Sequence, residues 1–222
     1  MAPETVTPLS APGSGHEPPV TPPPAGGHYF SSGPTSASRP GSVRLDLPDR
    51  SLELATDAGV FSPGRVDPGT KLLLSELPEL TDGPVVDVGC GYGPIACTVA
   101  LRHPELEVLA VDVNPRAREL CERNARALGA AVTVVDPEGA DSTGPVGTIV
   151  SNPPIRIGKA ALHELLAGWL ARLSPGGHAH LVVHKNLGAD SLANWLVEQG
   201  HSVERVRSRQ GYRVLVVTAG GS

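Results

Sequence analysis

The chain has 222 residues, 40% of them hydrophobic and 3% aromatic, and carries a formal net charge of −5. That is enough apolar material for one ordinary α/β core with an appendage. The acidic balance excludes a surface generally coated with nucleic acid, though it leaves room for a local basic patch.

From Met1 to about Pro40 the chain is Pro, Gly, Ser, Thr and Ala and holds about ten of the 23 prolines. Such a segment cannot bury enough apolar surface to offset its ordering entropy, so residues 1–40 are expected to be a disordered tail and 41–222 the folded domain. Its first residues, Met-Ala-Pro-Glu, lack the basic and apolar regions of a signal peptide, and no later stretch is long and apolar enough for a bilayer. A cytoplasmic protein without membrane attachment is expected. Cys90, Cys97 and Cys121 are an odd set without metal-ligand spacing and read as reduced core residues.

Val43–Leu47 and Ser51–Ala55 alternate apolar and polar residues around Pro48-Asp49-Arg50, the pattern of a short β-hairpin. Gly59 to Thr70 is a loop rich in turn residues that leads into a helical run from Lys71 to Leu77, which Thr70 could cap. Val85-Val86-Asp87-Val88 then runs as a strand into Gly89-Cys90-Gly91-Tyr92-Gly93-Pro94 and a helix. The glycines permit left-handed angles and close approach of a ligand to the main chain at a helix mouth. A dinucleotide fingerprint needs its third glycine where Pro94 stands, so the spacing speaks against NAD. Asp87, just before the turn, fits a phosphate poorly but could receive a cationic amino group, directly or through water. S-adenosylmethionine has one.

Val108–Val111 is the next strand and ends in Asp112, about 20 residues past the turn, where a ribose-binding acid is expected. Asn114-Pro115 starts a helix with Ala117, Leu120, Cys121 and Leu128 on one face, and Gly129 ends it. Val132–Val135 and Val146–Ser151 are further strands, the latter running into Asn152-Pro153-Pro154. Leu162, Leu165, Leu166, Trp169, Leu170 and Leu173 repeat at helical spacing, with Pro175-Gly176-Gly177 expected to stop that helix. His178, His180 and His184 cluster at the strand Ala179–His184 without a neighbouring carboxylate or cysteine, so solvent-facing or satisfied histidines are expected rather than a metal site. A helix from about Ala189 to Glu198 and strands Ser202–Arg207 and Tyr212–Thr218 complete the pattern. Strands alternating with helices predict a doubly wound, mostly parallel α/β sheet of seven strands, with the ligand beyond the strands' carboxyl ends.

The glycine turn, Asp112 and Asn152 all fall at such ends and so belong to one rim. Each proline holds the residue before it in extended angles, which fixes Asn152 and Pro153 as a pair of acceptors for a planar amino group. An exocyclic base nitrogen is a poor nucleophile because its lone pair is spread into the ring. Accepting its two hydrogens at the Asn152 side-chain oxygen and the Pro153 carbonyl could turn that lone pair toward a sulfonium methyl. Alignment then supplies much of the rate, with no general base or metal strictly required.

The chain resembles a class I, Rossmann-like S-adenosylmethionine-dependent methyltransferase through Asp87-x-Gly89-x-Gly91-x-Gly93, Asp112 and Asn152-Pro153-Pro154. Gly59-Val60-Phe61-Ser62, Asp67-x-Gly69-Thr70, Asn152-Pro153-Pro154-Ile155-Arg156-x-Gly158-Lys159 and Lys185-x-x-Gly188-Ala189-x-Ser191-Leu192 are similar to the methyltransferase small domain family. Its best-known members methylate the N2 amine of a guanine in small-subunit ribosomal RNA. The resemblance implies S-adenosyl-L-methionine as cofactor, held by Asp87, Gly89, Cys90, Gly91, Gly93, Asp112 and Asn152, with Thr70 near its methionine end and an acid after the third strand, Asp136 or Glu138, near its adenine. It implies Asn152 and Pro153 as catalytic residues, Ile155, Arg156, Lys159 and Lys185 as substrate contacts, and ribosomal RNA or the small subunit as partner.

Ile155 stands where many base-modifying relatives carry an aromatic, and Gly147-Thr148 where relatives commonly place an aromatic and an acid. Arg205, Arg207 and Arg209 recur at period two and would form a positive stripe on one strand face, read either as an RNA footprint or as edge protection. Alternative activities are methylation of a protein side-chain amide or a small amine, and a cofactor-binding RNA module without turnover.

Overall fold

The computed structural model of the protein describes residues 37–220, so nearly all of the expected tail lies outside the described residues. A hairpin opens the fold, β1 (Gly41–Asp46) pairing antiparallel with β2 (Ser51–Thr56). The chain continues as α1 (Pro68–Glu76), β3 (Val85–Val88), α2 (Pro94–Arg102), β4 (Val108–Val111), α3 (Pro115–Leu128) and β5 (Thr133–Val135). It closes with a single turn α4 (Pro137–Ala140), β6 (Val146–Ser151), α5 (Lys159–Leu170), β7 (Leu173–His184), α6 (Ala189–Glu198), β8 (Ser202–Arg209) and β9 (Tyr212–Thr218).

The seven strands of the main sheet lie in the order β5-β4-β3-β6-β7-β9-β8. β3 to β7 are parallel, and β9 and β8 are added antiparallel at one edge. Strand residues point alternately to two faces, and the core divides accordingly. Val85, Val108, Ala110, Val150, Val182 and Val214 pack with the hairpin and α1, α2 and α3. Val86, Leu109, Ile149, Leu181, Val183 and Leu215 pack with α5 and α6. The order reverses at β3, whose parallel neighbours are β4 on one side and β6 on the other. That switch point leaves a crevice at the carboxyl ends of β3 and β6. No helix among the described residues is long and apolar enough to cross a membrane.

Three expectations are corrected. The first helix begins at Pro68 rather than Lys71, and its cap is Asp67, whose carboxylate accepts the Gly69 and Thr70 N–H groups, with Pro68 in the first turn where a missing N–H costs nothing. Thr70 is therefore inside the helix. The helix holding Leu162 to Leu170 ends on its own at Leu170, and Pro175-Gly176-Gly177 lies within β7, which Leu173 begins. The arginine stripe is broken by a bulge between Arg205 and Arg207, which oppose Leu215 and Val214 respectively and so project to opposite faces. Arg205 is bonded to Asp190 of α6 and Arg207 to Glu76 of α1 at 2.9 Å, so both charges are spent on holding helices to the sheet edge.

The histidines also differ among themselves. His178 meets the Thr218 hydroxyl at 3.1 Å, whereas His180 is buried and its burial pushes the imidazole down to about 4. Among the described residues, no group of three or more His, Cys, Asp or Glu is arranged to hold a metal ion.

Candidate active site

The glycine turn is fixed from below by the end of β4. Gly89 and Cys90 donate their N–H groups to the Val111 carbonyl at 2.8 and 3.0 Å, tying the end of β3 to the end of β4. Gly89, Gly91 and Gly93 all have positive φ, of 78°, 56° and 88°. Their surroundings separate their tasks. A Cβ on Gly91 would meet nothing within 4 Å, so its open side faces the cleft, whereas one on Gly93 would lie 2.7 Å from Cys121 Sγ. Gly93 is thus a packing glycine that caps α2 over α3.

Asp87 and Asp112 brace this turn. Asp112 accepts the Gly91 N–H on one oxygen and the Asn114 N–H on the other, each at 2.8 Å. Each oxygen keeps a lone pair free for a hydroxyl. Burial is the largest influence on this carboxyl and raises its pKa. Asp87 is 1% exposed and sits behind the turn; its Oδ2 accepts the Ala96 N–H of α2 at 3.0 Å while its Oδ1 is buried without a hydrogen-bond partner. Burial pushes this carboxyl up to about 8. The orphaned oxygen of Asp87 and the open face of Gly91 suit a ligand that brings a polar amino group onto the turn, directly or through water.

The turn residues Gly89 to Tyr92 form one wall of the cleft, and Phe61, Asp67, Thr70 and Asn152 face them. Asn152 follows β6, whose last residue Ser151 is anchored by a 2.6 Å bond from its hydroxyl to the Val88 carbonyl. The Asn152 side-chain nitrogen donates to Asp67 Oδ2 and to Thr70 Oγ1, both at 3.0 Å. A carboxylate only accepts, so the amide must turn its nitrogen toward Asp67, and both amide hydrogens are then used. The Asn152 oxygen is left as the group able to accept. Asp67 is held in turn by the Tyr212 hydroxyl, 3.2 Å from Oδ1. The Tyr212 ring lies so close over the helix start that a Cβ on Gly69 would be 2.5 Å from it. Pro154, at φ −75° and ψ 72°, makes a tight inverse γ-turn in which the Ile155 N–H is bonded to the Pro153 carbonyl at 2.8 Å. That carbonyl oxygen has a second lone pair available.

The expected site residues are gathered unevenly. Thr70, Gly89, Cys90, Gly91 and Asn152 line the cleft, with Asp112 beneath its glycine turn. Asp136 stands farther along the rim, past β5, where it caps α4 through the Gly139 N–H at 2.8 Å and faces Arg118 at 3.8 Å. Ile155 packs against the core on the α5 face instead of entering the cleft. Arg156, Lys159 and Lys185 are exposed beyond the ends of β6 and β7 and form no ion pair with a described residue. Asp67 and Phe61 stand in the motifs that carry the family resemblance but receive no role at the site from the sequence, and Tyr212 is expected only as the start of a strand. Asp67-Pro68 is a ready helix-start signal, and Phe61 is an aromatic isolated in a turn-rich loop; Tyr212 had no local sign.

A larger cavity of about 290 Å³ lies beneath the end of α1, lined by His178, His180 and Thr148, by the acidic Glu76, Glu79 and Asp82, and by apolar residues such as Leu73 and Val214. It contains none of the groups gathered at the switch point.

A switch-point cleft with a glycine turn after β3, an acid after β4 and Asn-Pro-Pro after β6 defines a Rossmann-like class I methyltransferase fold. Residues 51–216 match the methyltransferase small domain, and the chain belongs to that family. It is 34% identical to the uncharacterized protein YbxB of Bacillus subtilis over 194 residues, which cover 85% of this chain and 96% of that one. It is also 34% identical to the ribosomal RNA small subunit methyltransferase C of Shewanella amazonensis over 177 residues, 77% of this chain and 50% of the relative. Among solved structures, the Thermus thermophilus 16S rRNA N2 G1207 methyltransferase (RsmC), in complex with AdoMet and guanosine, aligns with a TM-score of 0.68 and 25% identity, over 82% of this chain and 50% of that chain. The chain thus spans about half the length of the ribosomal RNA methyltransferases it matches.

Proposed function

We propose that this protein is an S-adenosyl-L-methionine-dependent N-methyltransferase that modifies the exocyclic N2 amine of a guanine in small-subunit ribosomal RNA, with residues 41–222 as its catalytic domain. The observation that carries this reading is the orientation of Asn152. With both amide hydrogens bonded to Asp67 and Thr70, its oxygen is available to accept from an amine.

In this reading Gly89, Cys90 and Gly91 carry the cofactor on their backbone, and Asp112 accepts from its ribose hydroxyls. Asp87 lies behind the turn that carries its amino-acid end, Thr70 borders that end, Gly93 shapes the turn, and Asp136 lies toward the adenine. Bound there, S-adenosyl-L-methionine supplies an electrophilic methyl on a sulfonium. The Asn152 oxygen and the Pro153 carbonyl accept hydrogen bonds from the two amine N–H groups and hold the nitrogen so that its lone pair leaves the plane of the ring. The nitrogen gains the methyl as the sulfur–carbon bond breaks and then gives up one proton to water. The carboxylate of Asp67 polarises the Asn152 amide through their hydrogen bond and so strengthens its oxygen as an acceptor. As the nitrogen gains positive charge, these preorganised acceptors bind it more tightly than the neutral amine, which lowers the barrier. Exposed Arg156, Lys159 and Lys185 supply phosphate contacts beside the cleft.

Similarity to ribosomal RNA small subunit methyltransferases supports the substrate class. The test is to map methylated nucleotides in small-subunit RNA from cells with and without this protein, then restore the mark in vitro with purified protein and S-adenosyl-L-methionine. Loss and restoration of one N2-methylguanine is expected. Unchanged RNA, with methyl transfer only to a protein or a small amine, overturns the reading.

A further inference from the structure

We infer that Phe61 is the aromatic platform on which the acceptor base stacks beside Asn152, in the place of an aromatic after the Asn-Pro-Pro element. The inference rests on the proposed function and names the contact that recognises its planar substrate.

Phe61 is 54% exposed and is the only aromatic among the exposed large apolar side chains of the described residues. A single exposed apolar side chain is ordinary on a protein surface, so it is the place of this ring and not its exposure alone that matters. It lines the same cleft as Asn152 and Thr70. The segment that carries it is built rather than loose. On one side of the ring, the Ala58 and Gly59 carbonyls accept from Arg116 Nη1 at 2.6 Å and Asn114 Nδ2 at 2.9 Å. Val60 is buried in the core, which anchors the residue directly before the ring. On the other side, Ser62 is bonded to the Arg65 carbonyl at 2.6 Å, and the Pro63 carbonyl accepts from the Thr56 hydroxyl at 2.8 Å.

Ser62 itself has φ 51°, a left-handed angle that a non-glycine residue adopts at a cost, and such strain persists where surrounding bonds enforce it. The loop therefore turns Val60 inward and holds Phe61 out over the cleft. Ile155, by contrast, has no flat face and is packed against the α5 side of the sheet. A cleft lined by the Asn152 amide and one exposed ring selects a planar heteroaromatic amine over a flexible aliphatic one, because stacking requires a π-face.

Three samples test this: wild type, Phe61→Leu, which keeps an apolar cover, and Phe61→Trp, which keeps a ring. Phe61→Leu should lower single-turnover methyl transfer to small-subunit RNA by about tenfold, the scale of one lost base–aromatic stack, with cofactor affinity within about twofold of wild type. Phe61→Trp should retain transfer, and its added fluorescence should be quenched by guanosine monophosphate in the presence of S-adenosylhomocysteine, against a wild-type control for the two native tryptophans. Wild-type transfer by Phe61→Leu, or a loss of cofactor affinity as large as the loss of transfer, overturns the inference; the second result would make Phe61 a cover for the cofactor. The two proposals can fail separately. Quenching without any RNA methylation by the wild type sinks the RNA reading and keeps the stack, whereas RNA methylation without quenching does the reverse.

Discussion

The side-chain nitrogen of Asn152 lies 3.0 Å from Oδ2 of Asp67, across 85 residues of sequence. The same Asp67 oxygen caps α1, so one carboxylate both starts a helix and sets the direction of an amide at the carboxyl end of β6. Asp67→Ser separates these duties, because serine is a good cap but too short to reach Asn152. Its melting temperature should stay near wild type, while methyl transfer falls by about tenfold to a hundredfold through misplacement of the acceptor. The chain has five asparagines, so selective ¹⁵N-asparagine labelling should show the Asn152 amide pair shifting and exchanging faster in this variant. Wild-type transfer with an altered amide signal would show that Asp67 does not act through Asn152.

Gly91→Ala and Gly93→Ala should fail differently. Both force a left-handed angle on a residue with a Cβ, at a cost of about 1–2 kcal/mol. At Gly93 the new methyl also meets Cys121, buried and with its Cα only 3.3 Å away, so the total should reach about 3 kcal/mol and show as a large drop in melting temperature. At Gly91 the methyl points into open space, so the fold should survive better while cofactor affinity drops. Thermal melting and calorimetric cofactor titration on both variants separate the outcomes, and equal destabilisation without any binding difference would contradict them.

Asp87 makes stability depend on pH in a defined direction. Its folded-state pKa is raised from 3.8 to about 8 by burial, so between these values the folded protein holds a proton that the unfolded chain has released. The stabilisation is complete below pH 3.8 and is lost as pH rises through about 8, with a limiting slope of about 1.4 kcal/mol per pH unit. Asp87→Asn keeps an acceptor for the Ala96 N–H but does not titrate. Urea unfolding at pH 5 and pH 8 should therefore differ less for Asp87→Asn than for wild type. An identical pH dependence in both proteins would show that Asp87 is not the group responsible.

The order of elements, the glycine turn and the rim holding Asp112 and Asn152 were legible because each rests on local signals: strand runs, turn glycines and prolines with fixed angles. The start of α1 was misplaced by three residues because Thr70 was read as its cap, although Asp67-Pro68 is the stronger start. Pro175-Gly176-Gly177 looked like a helix stop, yet pairing of β7 beside β6 carries a strand through it. Period-two spacing placed three arginines on one face, and one extra residue at a bulge undid that. The Asp67–Tyr212 contact joins residues 145 positions apart and left no trace in local pattern. The side of the cleft facing the glycine turn was therefore the least legible part of the site.

Asn152→Asp, conservative in shape, should not be so in effect. It replaces the donor facing Asp67 with a second carboxylate, and two such groups at about 3 Å cannot both ionise freely. Loss of transfer comparable to alanine is expected at neutral pH, with partial recovery as pH is lowered and the pair shares a proton. Retention of wild-type transfer at pH 8 would contradict the observed direction of the amide.

Asn152→Ala tests the proposed chemistry most directly: single-turnover methyl transfer to small-subunit RNA and to assembled small subunits, with thermal melting and cofactor titration on the same samples. Removing one oriented acceptor should slow transfer by about a hundredfold or more, the equivalent of roughly 3 kcal/mol in the transition state. Cofactor affinity should change much less, because the glycine turn and Asp112 bear most of that binding, and the protein should remain folded. Transfer at the wild-type rate, or a loss only in proportion to lost folded protein, would contradict a catalytic Asn152 and with it the mechanism built on its orientation.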